Sequence, residues 1–169
     1  MLTMKKTILA LTSAATVFAA SQAAAISEHP LAVDVKQLHP DAALYAAREA
    51  MEACRAEGLQ VSVVVVDRRS VELIRYRDVV APAITISVAH DKAVTANEFT
   101  SATSDLRDLH DSPLAHQANM FLDAGGVPIE SAGRYYGAIG VAGAPTQEQD
   151  EACARAGAEA LQIEMDMNL

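Results

Sequence analysis

The stretch from Gly125 to Glu151 reads GGVPIESAGRYYGAIGVAGAPTQEQDE. Two glycines and Pro128 open a strand, Ala132-Gly133 supplies a two-residue turn, and Arg134 to Val141 returns as a strand rich in tyrosine and isoleucine, which predicts a β-hairpin. Gly143, Ala144 and Pro145 break the second strand, and Thr146 with Gln149 spells a capping box that starts a closing helix. Gly137, Gly140 and Gly143 recur at every third position. Because glycine weakens a strand interior, this spacing predicts that something packs close against the backbone there.

Working outward, Val61 to Asp67 is a nearly unbroken valine run, too short for a buried helix and strongly β-branched, which predicts a central strand buried on both faces. Arg68-Arg69-Ser70 turns the chain, and Val71 to Arg77 alternates apolar with charged residues as a half-exposed partner strand. A first, alanine-rich helix is expected from Pro40, with Asp41 beside it, to a stop at Gly58. Beyond Pro82 the period becomes helical: Ile86, Ala89, His90, Ala93 and Asn97 share one face, and Val88, Lys92, Thr95 and Phe99 another. Thr103 or Ser104 can cap a short turn running through His110, Ser112-Pro113 opens a brief helix, and the chain then extends from Met120 to Asp123. The expected architecture is α+β, a five-stranded antiparallel sheet with flanking helices, in a single domain over residues 40–169.

The chain has 169 residues, 51% of them hydrophobic but only 4% aromatic, and a net charge of -9. So acidic a chain repels phosphate backbones, and it has little with which to stack bases, which argues against nucleic acid as a partner. Lys5 and Lys6, the apolar run Thr7 to Ala20 and the small residues Ala23 to Ala25 together predict a signal peptide over residues 1–25. The apolar run falls short of the roughly 20 residues of a spanning helix. Cleavage would leave a periplasmic or secreted protein with no stable membrane insertion, starting near Ile26. Residues 26–39, with His-Pro pairs at His29 and His39, read as an extended surface segment. Two cysteines in an exported chain, Cys54 and Cys153, invite one disulfide, with two buried thiols as the alternative, since each lies on the apolar face of an expected helix.

The GG-V-P-I hairpin, the GAIGVAGAP return strand, HDKAVTANEF from His90 to Phe99 and VSVVVVD from Val61 to Asp67 together resemble the haem-binding, haem-degrading family typified by GlcG and HbpS. The likeness covers almost everything after the leader. It implies a profilin-like layered fold, assembly into a homo-oligomer, haem as the cofactor and a weak haem-degrading activity for which no catalytic acid or base can be named.

His90 is the foremost candidate ligand, for haem and for its metal. Ile86 lies one turn before it and Ala93 and Val94 one turn after it, so an imidazole would project from a small apolar patch, which suits a macrocycle held by one nitrogen donor. A core histidine bonded to a neighbour is the alternative. The resemblance places Lys92 and Thr95 in the same helical motif, where lysine could pair with a haem propionate and threonine could approach the iron or bond the preceding turn. His116 is the intrachain alternative ligand, and His39 could reach a neighbour's pocket across a subunit interface. The pairs Glu49 with Glu52 and Glu148 with Glu151 could chelate a cation but read more simply as solvated helix faces. Hydrolase, zinc and nucleotide motifs are absent from the sequence. The leading reading is an exported protein that sequesters, delivers or degrades haem. The alternatives are a small-molecule or corrinoid binder and an accessory protein that docks a membrane sensor.

Overall fold

Val61 and Val63 to Val66 are completely buried, as a β-branched run with no charge on either face requires. Ser62, the one polar residue among them, shares a hydrogen bond with Thr85 Oγ1 at 2.8 Å. The computed structural model describes residues 32–168 and carries this run as strand β1 (Ser62–Asp67). The expected signal peptide, its cleavage site and the start of the extended segment, including His29, lie outside the described residues. Strands β2 (Glu72–Arg77), β3 (Gly126–Ser131) and β4 (Arg134–Ala142) complete an antiparallel sheet in the order β2-β1-β4-β3.

Among the described residues the sheet has four strands, not the five expected. The stretch Met120 to Asp123 adds no strand: Met120 N–H donates to Gln117 O, Phe121 N–H to Thr95 Oγ1 at 2.8 Å, and farther on Gly125 N–H to Glu151 Oε2 at 3.2 Å. Both expected hairpins are present. The Ala132-Gly133 turn has positive φ at both positions, 49° and 69°, which is the geometry of a type I′ loop.

Alternation along the strands divides the core in two. Val63, Val65, Ile129, Ile139 and Val141 point to the face covered by helices α1 (Pro40–Ala56) and α3 (Gln147–Asn168). Val64, Val66, Ala138 and Ala142 point to the face covered by helix α2 (Ile84–Phe99). That second face carries small residues, so α2 sits very near the sheet. A Cβ added to Gly140 would lie 2.1 Å from Ala89 O, which explains a glycine mid-strand.

Local signals set the helix ends. His39 caps α1 ahead of Pro40, and Gly58 ends it with a reciprocal pair of bonds, Gly58 N–H to Arg55 O and Leu59 N–H to Cys54 O. Thr146 Oγ1 accepts from Gln149 N–H while Gln149 Oε1 accepts from Thr146 N–H, which is the expected capping box before α3. Helices α1 and α3 run antiparallel. A disulfide joins Cys54 to Cys153 at one end of the pair, and in the middle Gly157 lies so near α1 that an added Cβ would be 2.4 Å from Ala46 O. Two short 3-10 helices, Thr103–Leu109 and Pro113–His116, lie between α2 and β3. No helix among the described residues is long and apolar enough to cross a membrane.

Candidate functional site

The sequence motif on α2 separates in three directions. Lys92 is 1% exposed, and its Nζ donates to Asp150 Oδ2 at 2.8 Å beneath the Phe121 ring. The other oxygen, Asp150 Oδ1, accepts from Ala144 N–H at 2.9 Å. Burial pushes the Asp150 carboxyl above its ordinary range, and the Lys92 ammonium opposes that shift. The ammonium expected at a propionate is therefore spent inside the protein. Thr95 is completely buried as well: Oγ1 donates to Asp91 O at 2.7 Å and accepts from Phe121 N–H, tying α2 to the loop before β3.

His90 faces outward from α2, with a quarter of its side chain exposed and Nδ1 3.2 Å from Asp91 Oδ1. It lines a cleft of about 410 Å³ in which Ala83 and Ile86 are apolar, but Arg75, Ser87, Asp91 and Asn119 are not. The apolar setting expected for it is thus only partial. His116 is exposed at the end of its 3-10 turn, and His110 Nε2 lies 3.4 Å from Asp123 Oδ1.

Neither glutamate pair makes a metal centre. Glu52 is bound to Arg55 at 2.6 Å and Glu148 to Arg107 at 2.9 Å, while buried Glu151 accepts from Ser104 Oγ at 2.7 Å, Gly125 N–H and Arg155. Burial acts to raise the Glu151 carboxyl, but these donors outweigh it and hold the group below the usual range. Among the described residues no group of three or more histidines, cysteines or carboxylates is placed to hold a metal ion.

An apolar concavity lies elsewhere, where α1 begins, α3 ends and Tyr136 of β4 contributes to the lining. This groove has a volume of about 640 Å³. Leu38, Ala42, Tyr45, Tyr136, Leu161 and Met165 form its walls, and Lys36, His39 and Glu164 stand at its rim. Burial, then the neighbouring Glu49 and Glu164 carboxylates, raise the Tyr45 phenol and keep it protonated. Of the sequence-derived candidates only His39 lines this groove. The wall residues went unnoticed in the sequence, although Ala42 and Tyr45 share one helical stripe and Leu161 and Met165 another.

A layered sheet with an apolar groove between two disulfide-linked helices defines a small α+β domain. The chain belongs to the HbpS-like family: the model described as haem degrading protein HbpS-like matches residues 38–159. The fold is similar to a double mutant of Streptomyces reticuli HbpS, at 38% identity over 79% of this chain and 97% of that one, with a TM-score of 0.72. It is also similar to PduOC in complex with haem, at 26% identity over 74% of this chain and 95% of that one, with a TM-score of 0.68. Klebsiella pneumoniae ORFY, at 21% identity over 79% of this chain and 96% of that one, shares the fold with a TM-score of 0.73. No curated relative matches the chain.

Proposed function

We propose that this chain is an exported haem-binding protein that sequesters, delivers or slowly degrades haem. Membership of the HbpS-like family supports a haem-related role, and the groove between α1 and α3 is the observation that carries the reading to this chain. Its volume of about 640 Å³ falls within the range of small-molecule pockets, its walls are aliphatic or aromatic, and an imidazole and an ammonium stand at its mouth. Those residues fit a planar apolar macrocycle with an iron to be ligated and acidic arms to be neutralised. When bound, haem would supply the redox chemistry, and the chain would supply the wall, the orientation and partial exclusion of water.

Export rests on the Lys5-Lys6, apolar run and Ala23-Ala25 series. Assembly into a homo-oligomer also belongs to the reading. Gly140 and Gly157 are occupied within the chain by α2 and α1, whereas Val79, Val80 and Ile84 stand 85%, 74% and 68% exposed as apolar surface for a neighbour. Titrating haemin into the purified protein tests the central claim. A saturable Soret band at fixed stoichiometry supports it; non-saturating absorbance without a defined band overturns it.

A further inference from the structure

An iron-porphyrin site needs a nitrogen, oxygen or sulfur donor at the edge of an apolar slot, with the donor's own orientation fixed. Of the four histidines among the described residues, His39 alone lines the large apolar groove. His90 opens on a polar cleft, His110 is beside Asp123, and His116 lies on an exposed turn. We infer that His39 is the residue that holds the iron, through Nε2, with the Asp41 carboxylate as the partner that orients its ring. This inference rests on the haem-binding reading and reassigns the ligand expected at His90.

Three observations carry it. First, the backbone of His39 is fixed from both sides: it caps α1 at φ -73° and ψ 142°, and Pro40 follows, which holds the residue in the extended region. Second, the other ring nitrogen is engaged. Nδ1 accepts from Asp41 N–H at 3.2 Å and lies 3.6 Å from Asp41 Oδ2, so Nε2 is the nitrogen left for a ligand. Third, 75% of the side chain is exposed, so the ring is open to an incoming metal while the walls below it are apolar.

The proton count closes. With Nδ1 accepting, a neutral ring carries its proton on Nε2. Binding iron at Nε2 moves that proton to Nδ1, which gives up its bond from Asp41 N–H and, with a small turn of the ring, donates to Asp41 Oδ2, 3.6 Å away in this structure, the carboxylate–histidine–metal arrangement that fixes tautomer and basicity. Lys36 at the same rim offers a cation to one propionate.

The test uses haemin and metal-free protoporphyrin IX on the same proteins. Because asparagine is itself a good N-cap, His39→Asn keeps the Asp41 N–H satisfied while removing the imidazole. The variant should bind metal-free protoporphyrin as the wild type does, by quenching of porphyrin fluorescence, while its haemin affinity falls and the Soret maximum moves. Asp41→Asn should weaken haemin roughly tenfold, as the loss of such a supporting carboxylate does, and leave metal-free porphyrin unaffected. Ala42→Trp fills the groove and should abolish both. An unchanged Soret maximum and affinity in His39→Asn, loss of the Soret band in His90→Asn, or undiminished porphyrin binding in Ala42→Trp overturns the assignment while leaving haem binding itself standing. A wild type that gives no saturable haemin spectrum overturns both readings together.

Discussion

Lys92 Nζ and Asp150 Oδ2 are 2.8 Å apart at 1% and 3% residue exposure, joining the helix on one face of the sheet to the first turn of the helix on the other. The desolvation of two such charges is offset only while both are present, so removing one leaves an uncompensated charge in the interior. Lys92→Ala should cost about 3–5 kcal/mol in a urea titration. The double variant Lys92→Met with Asp150→Leu should recover most of that loss, since a packed apolar pair often replaces a buried ion pair without penalty. A loss in the double variant equal to the sum of the two single-variant losses would show that the pair is not coupled.

The Cys54–Cys153 bond spans 99 positions of sequence. Closing so long a loop restricts the unfolded chain, and the chain-entropy relation gives about 4.7 kcal/mol for a loop of this size. Reduction should therefore lower the guanidinium midpoint strongly and steepen the slope, because the unfolded chain becomes less compact. Intact mass without reductant should show a deficit of two hydrogens; two titratable thiols in the native protein would contradict the bridge.

Asp78 receives Arg55 Nε at 2.8 Å and Nη2 at 3.2 Å, and Val79 N–H at 3.0 Å. The Arg55 bonds lower its carboxyl below the usual range, against the opposing effect of burial. Because the folded-state value is the lower one, the unfolded chain binds more protons between the two, and stability falls as pH drops. This contribution is fully present above the ordinary aspartate value of about 4 and is lost as pH falls through the depressed folded-state value. Asp78→Asn should flatten that acid limb and lower stability at neutral pH, measured by thermal unfolding across the range.

Gly140→Ala tests the closeness of α2. The added carbon would meet Ala89 O at 2.1 Å and Ala93 N at 2.6 Å, both backbone atoms that cannot swing aside. The cost should reach or exceed the roughly 1–3 kcal/mol of ordinary overpacking, read as a drop in urea midpoint. A midpoint equal to that of the wild type would mean that helix and sheet separate freely.

Much of the fold was legible because its signals are local. The valine run, the Ala132-Gly133 turn, the Thr146-Gln149 box and the Gly58 stop each depend on a few adjacent residues, and each is where the sequence placed it. The fifth strand has no counterpart among the described residues, and ahead of β3 the Phe121 and Gly125 donors go to Thr95 and Glu151, each 26 positions away along the chain. Lys92 misled for a related reason. Its partner is 58 positions away, so a lysine on a helix read as a surface charge. The groove was invisible as a unit because its walls come from the start of one helix, the end of another and one strand.

The pairing of α1 with α3 acts as a lever. Its closest approach, the contact of Gly157 on Ala46, is a fulcrum; the covalent tether at Cys153 lies about 6 Å to one side along α3 and Met165 about 12 Å to the other, at 1.5 Å per residue. Any tilt of α3 about that point is therefore magnified about twofold at the mouth relative to the tethered end. The disulfide holds the short arm, so the groove end of the pair, which rests on side-chain packing, carries the larger displacement.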